Sequence, residues 1–209
     1  MHLVVLSNAD LKKELLTQTP EPVLEITWLT DVQQLTSYSD ADVYLDLLFE
    51  NTPERIQLLK SLGALVIINS VVDTLAETDA SFIRINGWPG FLHTAAIEAS
   101  GINDTAKALT EQFFQQLGKT VSWVPDQVGF VTPRVVSAII NEAYFALEEG
   151  VSTKEEINTA MKLGTNYPYG PFEWAAITGL NNICQLLQKL SRSQDRYQPS
   201  SLLVSEAGC

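Results

Sequence analysis

Apolar residues recur every three to four positions along residues 131–149, the spacing of an amphipathic helix packed on a core. The series consists of Val131, Val135, Ile139, Ala143 and Ala146. Gly150 follows it and predicts a left-handed residue that ends the helix. Ser152 and Glu155 predict the N-cap and capping box of a second helix, which Gly164 is expected to end. This part of the chain therefore predicts two helices joined by a tight connection.

Residues 1–125 show a different pattern, in which short apolar runs alternate with longer amphipathic segments. Strands are predicted at 2–6, 24–29, 41–51, 64–69 and 120–124. Helices are predicted at 11–16, 53–62 and 104–117. The run at 64–69 is uniformly apolar, which is typical of a strand covered on both faces. The alternation of strand and helix predicts an α/β layer with a parallel sheet.

Composition narrows the class of protein. With 209 residues and 45% apolar residues, the chain is expected to form one or two globular domains. A formal charge of −12 argues against nucleic acid or an anionic membrane surface as partner. No membrane-spanning run or signal peptide is visible, and Cys184 and Cys209 show neither metal spacing nor a disulfide-rich pattern. These features predict a cytoplasmic protein with reduced thiols and no metal site.

A series of motifs follows in fixed order from residue 129. They are Gly-Phe-Val at 129–131, Arg134, Asn-Glu-Ala at 141–143, Glu-Glu-Gly-Val at 148–151, Ile-Asn-Thr-Ala-Met-Lys-Leu-Gly at 157–164 and Pro-Tyr-Gly-Pro-Phe-Glu at 168–173. In these motifs the chain resembles the start of the C-terminal domain of 3-hydroxyacyl-CoA dehydrogenases. The resemblance covers residues 41 to about 190, and residues 1–40 by position alone.

This resemblance implies a fold and a domain organisation. It implies an α/β fold in which a shortened Rossmann-like parallel-sheet domain covers residues 1–125. A small all-helical domain follows at 126–190, similar to the family's dimerisation unit and to the C-terminal domain of 6-phosphogluconate dehydrogenases. A homodimer through this helical domain is therefore expected. Residues 191–209, rich in Ser, Gln and Gly, are predicted to form an extended or partly disordered tail.

The cofactor positions depart from what a dinucleotide-binding unit requires. The first strand-to-helix turn of such a unit carries glycines that let the backbone approach the pyrophosphate. Here residues 7–10 read Ser-Asn-Ala-Asp, and the first glycine in the chain is Gly63. Asp31 stands where an acid would hold the ribose, with an exposed loop or N-cap aspartate as the alternative. By resemblance, the remaining weak cofactor positions are Asp46, Glu50 and Asn69.

The catalytic positions implied by the resemblance also differ. The family's catalytic histidine falls at or beside Asn86, its serine on Val71 and its substrate-contacting asparagine on Pro133. Glu98 stands where the family's glutamate orients that histidine. Without the histidine it is expected to lack its pair, and to be either buried against another group or exposed. An amide cannot accept the proton that an imidazole would take, and a valine methyl cannot donate a hydrogen bond. His93 is the nearby imidazole, with a surface or packed histidine as the alternative interpretation.

These departures predict a non-catalytic relative, a pseudoenzyme whose fold is retained as a binding or assembly scaffold. The alternative is an NAD-dependent oxidoreductase that acts on a 3-hydroxyacyl-CoA, as in fatty acid metabolism, or on a related hydroxy acid through a rearranged site. NAD is expected as a cofactor only under that alternative. A third hypothesis is a sensor that binds an acyl-CoA or another small molecule, with Trp88, Phe91 and Trp174 lining the pocket or belonging to the core.

Overall fold

The computed structural model describes residues 1–17 and 25–209 and divides them into two compact units, Met1–Phe130 and Val131–Cys209. The predicted strand at 24–29 begins at Leu24, which lies outside the described residues. No helix in the described ranges is long and apolar enough to cross a membrane.

The described part of the first unit contains a seven-stranded sheet. Its strands are β1 (His2–Leu6), β2 (Glu25–Leu29), β3 (Val43–Asp46), β4 (Leu65–Asn69), β5 (Ile83–Ile85), β6 (Ala96–Ser100) and β7 (Thr120–Trp123). Their order is β2-β1-β3-β4-β5-β6-β7, and β5 and β6 pair antiparallel while the other neighbours pair parallel. The predicted α/β fold is confirmed, with one antiparallel pair in an otherwise parallel sheet.

Three helices flank this sheet: α1 (Ala9–Leu15), α2 (Pro53–Ser61) and α3 (Asp104–Gln116). Successive residues of a strand point to opposite faces, so Leu3 and Val5 enter one buried cluster while Val4 and Leu6 enter another. Because both faces are covered, β1 reads as an uninterrupted apolar run. The strand order turns at β1, which lies between β2 and β3. The carboxyl ends of β1 and β3 are therefore where an open α/β sheet normally binds a ligand.

The described residues of the second unit form five α-helices. They are α4 (Thr132–Glu148), α5 (Lys154–Thr165), α6 (Pro171–Thr178), α7 (Leu180–Ser191) and α8 (Ser201–Ala207). The predicted left-handed residue after α4 is confirmed, since Gly150 has a φ of 69°. The helical character predicted for this part of the chain is therefore present.

The boundaries of α5 differ from the prediction. Its N-cap is Thr153, whose hydroxyl accepts the N–H of Glu156 at 3.3 Å, so the capping box lies one residue later than predicted for Ser152 and Glu155. The helix also continues through Gly164, because Asn166 takes the left-handed conformation (φ 55°) that the glycine was expected to supply.

The prediction of an extended or partly disordered tail is wrong. After α7, a short 3₁₀ turn at Asp195–Tyr197 leads into α8, and both Tyr197 and Leu203 are buried.

The prediction of reduced cysteines is also not met, since Cys184 and Cys209 form a disulfide. Their 25-residue separation hid the pair, because only the return of the chain through α8 brings the two residues together.

Candidate functional site

The turn between β1 and α1 is closed by its own side chains. Asn8 is the N-cap of α1, and its Oδ1 accepts the N–H of Leu11 at 2.9 Å. Ser7 donates its hydroxyl to the carbonyl of Asn8 at 2.9 Å. Asp10 adds a carboxylate to the first turn of the helix, where a phosphate group would otherwise be favoured. The turn is therefore already capped and negatively charged.

Asp46 ends β3 beside this turn and is buried in an ion pair. Its Oδ2 accepts from Arg55 Nε at 2.7 Å, its Oδ1 accepts from Arg55 Nη2 at 3.0 Å, and Oδ1 also accepts the N–H of Leu48 at 3.1 Å. Burial raises the pKa of the Asp46 carboxyl, while Arg55 acts in the opposite direction. Both oxygens of this predicted cofactor residue are thus used by the protein itself.

The other two acids at the predicted cofactor site are exposed. Asp31 caps a 3₁₀ turn at Val32–Ser37, and its Oδ1 accepts the N–H of Gln33 at 2.9 Å. The N-cap alternative for Asp31 is what the geometry shows, and its role toward a ribose stays a prediction. Glu50 lies at the rim of a cavity of about 270 Å³ that Gln33 and Arg55 also line.

Asn69, at the end of β4, connects neighbouring strands. Its Nδ2 donates to the carbonyl of Leu47 at 3.2 Å, and its Oδ1 accepts the N–H of Gly87 at 2.9 Å. A Cβ on Gly87 would lie only 2.8 Å from Cγ of Asn69, so this approach requires glycine. Both the donor and the acceptor of the Asn69 amide therefore hold neighbouring backbone segments together.

The structure places Asn86 beside Glu98, although Glu98 was expected to lack its pair. Asn86 follows β5 and Glu98 lies on β6, and the antiparallel pairing places the Nδ2 of Asn86 3.3 Å from the Oε2 of Glu98. Asn86 is only 4% exposed, and its Oδ1 is buried without a hydrogen-bond partner among the described residues. An amide donates to the carboxylate in this position but does not titrate. His93 lies half-buried in the loop between the two strands.

Arg84 is a buried residue that the sequence reasoning missed. This β5 side chain is 0% exposed, and its Nε donates to Oδ1 of Asp126 at 2.5 Å. Its Nη1 donates to the carbonyls of Ser70 and Asp73 at 2.9 and 3.1 Å, and its Nη2 to that of Gln127 at 2.5 Å. An arginine inside the apolar run around β5 was the available signal, since such a charge requires buried partners.

Val71, the predicted serine position, belongs to the loop that Arg84 fixes. The Val71 side chain is buried, and its carbonyl accepts the N–H of Gly129 at 2.8 Å. The position therefore contributes backbone contacts inside the first unit, with a side chain that cannot hydrogen-bond.

The loop between β5 and β6 is also held from two sides. Both carboxylate oxygens of Glu14 accept the N–H of Gly90, at 3.0 and 2.9 Å. The buried Lys119 donates from Nζ to the carbonyls of Leu92 at 2.7 Å and Thr94 at 3.0 Å. Burial lowers the pKa of Lys119, and the carbonyl contacts satisfy its ammonium group. The loop that would carry catalytic chemistry is thus packed against its own unit.

Pro133 lies in the second unit, within the first turn of α4, where a proline is tolerated because the first N–H groups have no helical partner. It is buried, and the N-cap residue Val131 makes no side-chain cap hydrogen bond. The next residue, Arg134, lies over the ring of Tyr197 at 5.9 Å.

Among the described residues no cluster of three or more His, Cys, Asp or Glu side chains could hold a metal ion.

A mostly parallel sheet whose strand order reverses at β1 resembles a Rossmann-like dinucleotide-binding domain that is shortened beyond β2. The family model "3-hydroxyacyl-CoA dehydrogenase, C-terminal domain" matches residues 129–207. A probable 3-hydroxybutyryl-CoA dehydrogenase of Deinococcus radiodurans is 30% identical over 210 residues, covering 92% of this chain and 74% of that protein. The chain belongs to the 3-hydroxyacyl-CoA dehydrogenase family.

Two further relatives show how far the similarity extends. The 3-hydroxyadipyl-CoA dehydrogenase of Escherichia coli is 44% identical over 114 residues, which are 53% of this chain but only 24% of that protein. The crystal structure of (S)-3-hydroxybutyryl-CoA dehydrogenase from Ralstonia eutropha has a TM-score of 0.70 at 28% identity, covering 88% of this chain and 71% of that one. The chain therefore spans about a quarter of one relative and about three quarters of others.

Proposed function

We propose that this protein is a non-catalytic member of its family, retained as a binding or assembly scaffold. The observation that carries the proposal is the β1–α1 turn. A pyrophosphate needs free backbone N–H groups and close approach at this helix end. Instead, Asn8 caps the helix and Asp10 places a negative charge in its first turn. The turn therefore opposes a dinucleotide through its negative charge and through the use of the Leu11 N–H by Asn8.

The pair of Asn86 and Glu98 gives separate support. Oxidation of a hydroxyl group requires a base that accepts its proton as hydride leaves. Asn86 occupies the position beside Glu98 and offers only an amide. Loss of such a base reduces the rate by about 10²–10⁴-fold. The valine at 71 and the proline at 133 remove two further side-chain hydrogen bonds from the implied substrate site.

The alternative is an NAD-dependent oxidoreductase for a 3-hydroxyacyl-CoA or a related hydroxy acid. The names of the relatives favour it, as does the Asn86–Glu98 contact, which keeps the geometry of a paired catalytic group. This alternative requires that NAD binds despite the capped turn and that another group serves as base.

Acetoacetyl-CoA-dependent oxidation of NADH separates the two. The scaffold proposal predicts no rate above the protein-free background for the natural chain. It also predicts none for Asn86→His, which supplies an imidazole beside Glu98 but leaves the turn closed. A rate in the natural chain that Glu98→Gln or His93→Ala abolishes would contradict the proposal and support the oxidoreductase.

The second unit offers the surface for assembly. An apolar cavity of about 270 Å³ lies between α4 and α6, lined by residues that include Val135, Ile139, Tyr167 and Trp174. Val131 and Val135 are 55% and 51% exposed. Because exposed valines border an apolar depression, a second copy related by a twofold axis could cover both. We assign this surface to a homodimer.

Sedimentation equilibrium of Val135→Glu tests the dimer. A charge at the centre of an apolar interface should weaken self-association by about 100-fold. Ile102→Glu is the matched control, because Ile102 is 67% exposed and lies in the first unit. The control should associate like the natural chain. A natural chain that stays monomeric at about 100 µM would contradict the assignment.

A further inference from the structure

The C-terminal helix α8 is a short helix with one fully buried side chain, polar contacts to neighbouring helices and a disulfide just beyond its end. Within its seven residues, Leu203 is the buried side chain. The chain enters the helix through Asn141 of α4, whose Nδ2 donates to the carbonyl of Gln198 and whose Oδ1 accepts the N–H of Ser200, each at 2.9 Å. A helix of this length does not persist by its own hydrogen bonds, so its contacts decide whether it stays folded.

Glu206 of α8 connects two other helices. It accepts from the hydroxyl of Tyr144 on α4 at 2.8 Å and from Nζ of Lys154 on α5 at 2.8 Å. The Lys154 hydrogen bond is the main cause that lowers the pKa of Glu206. None of the twelve described residues of α5 is fully buried, so polar contacts of this kind hold α5 on the unit. The position of α8 therefore influences the start of α5.

The disulfide fixes the free end of α8. Cys184 is fully buried on α7, while Cys209 is exposed two residues beyond α8. Their Cα atoms lie 6.6 Å apart, within the range that a disulfide spans. One sulfur is thus shielded by the helical unit and the other belongs to an accessible residue.

We propose that Cys184–Cys209 is a reversible redox site that controls the docking of α8 and, through Glu206, the start of α5. A small-molecule thiol–disulfide couple such as glutathione supplies the exchange. To form the bond, the Cys209 thiolate attacks the external disulfide and releases one external thiolate. The Cys184 thiolate then attacks Cys209 Sγ and releases the second, so two protein thiols are oxidised and one external disulfide is reduced. This site does not depend on whether the protein has retained catalysis.

The exposure of the two cysteines sets the direction of attack. An external thiolate reaches the accessible Cys209 more readily than the buried Cys184, so reduction releases Cys184 as the leaving thiolate. Without the bond, α8 keeps the buried Leu203, the Asn141 hydrogen bonds at its entry and the hydrogen bonds of Glu148 and Glu206. The contacts of the exposed glutamates contribute little at a protein surface. Reduction should therefore loosen α8 first and the start of α5 next.

The full chain, equilibrated with oxidised glutathione or with dithiothreitol, tests this site. The oxidised form should take up no iodoacetamide and the reduced form two equivalents under denaturing labelling. Amide hydrogens of residues 201–207 should exchange at least about tenfold faster after reduction, and those at the start of α5 should follow. The melting temperature should fall by about 5–10 °C.

Variants keep the test informative. Cys209→Ser changes an exposed residue, and it should behave like the reduced chain and no longer respond to glutathione. Glu206→Gln should speed exchange at the start of α5 while the disulfide still forms. Two results would overturn the proposal: labelling of both cysteines after treatment with oxidised glutathione, or equal exchange and melting in the two redox states.

Discussion

The carboxyl edge of the sheet and the exposed surface of α4 differ in what they offer a ligand. At the sheet edge the protein uses its own polar groups: Asn8 caps α1, Asp46 pairs with Arg55, and Asn69 joins β3 to the loop after β5. On α4, exposed valines border an apolar depression. Three polar side chains at the sheet edge are therefore already bound by the protein itself, whereas α4 presents exposed apolar side chains.

The largest loss of stability is expected when the buried charge of Arg84 is removed. Arg84→Met leaves Asp126 and several backbone carbonyls without their donor. Breaking one partner of a buried pair costs about 3–5 kcal/mol, so we expect a loss of that size in the free energy of unfolding. Urea denaturation measures it. Lys60→Met removes the ion pair between the exposed Lys60 and the partly buried Asp79, and it should lose no more than about 1 kcal/mol. Equal losses would contradict the buried role of Arg84.

Removal of the Asn69 amide should cause an intermediate loss of unfolding free energy. Asn69→Ala leaves the Leu47 carbonyl and the Gly87 N–H unpaired, and we expect a loss of about 2 kcal/mol in unfolding free energy. Asn51→Ala is the matched control, because Asn51 donates to Asp73 at an exposed position. Thermal and urea unfolding should leave this control within about 0.5 kcal/mol of the natural chain. A neutral Asn69→Ala would mean that its amide is free to serve a ligand.

The cap on α1 should be measurable by two substitutions at one position. Asn8→Ala should lower the unfolding free energy by about 1 kcal/mol, because the N–H of Leu11 loses its acceptor. Asn8→Gly should lower it by only a few tenths of a kcal/mol, since glycine is itself tolerated at an N-cap. Urea denaturation distinguishes the two. Equal stability of both variants would show that the turn is not closed by this side chain.

The smallest effect concerns Asp79, a partly buried carboxylate whose side chain is 17% exposed. The hydrogen bond from Lys60, with those from Ser81, lowers the pKa of Asp79 to about 2. A depressed pKa in the folded state contributes stability above the unfolded value and loses it as pH falls toward about 2. Asp79→Asn should therefore be slightly less stable than the natural chain at pH 7, with the difference disappearing near pH 2 in denaturant titrations. A difference that grows at low pH would contradict this sign.

Much of the fold could be predicted because its signals are local. Uniform apolar runs gave the strands, and Gly150 marked the end of α4. Register and helix ends were less predictable, since Thr153 competes with Ser152 as N-cap and Asn166 replaces Gly164 as the left-handed residue. The antiparallel pairing of β5 and β6 has no short-range pattern, because it depends on where the chain crosses the sheet.

Site residues that lie in recognisable motifs could be predicted. Contacts between residues that are far apart in the sequence could not. Motif positions identified Asn86 and Glu98 as site residues, although Glu98 was expected to lack its pair. By contrast, Arg84 and Asp126 lie 42 residues apart, and Lys119 meets the carbonyl of Leu92 from 27 residues away. Folding of the sheet brings such residues into contact, so patterns in a single sequence do not reveal these pairs. The disulfide was missed for the same reason, because the segment before Cys209 was not expected to fold back.

The scaffold proposal requires that the carboxyl edge of the sheet binds no dinucleotide. Calorimetric titration of the full chain with NADH up to millimolar concentration tests it most directly, with circular dichroism on the same sample to show that the protein is folded. We expect heats equal to those of dilution, because Asn8 caps α1 and Asp10 adds a negative charge to its first turn. Saturable binding with a Kd tighter than about 1 mM would contradict it and would restore the oxidoreductase as the leading function.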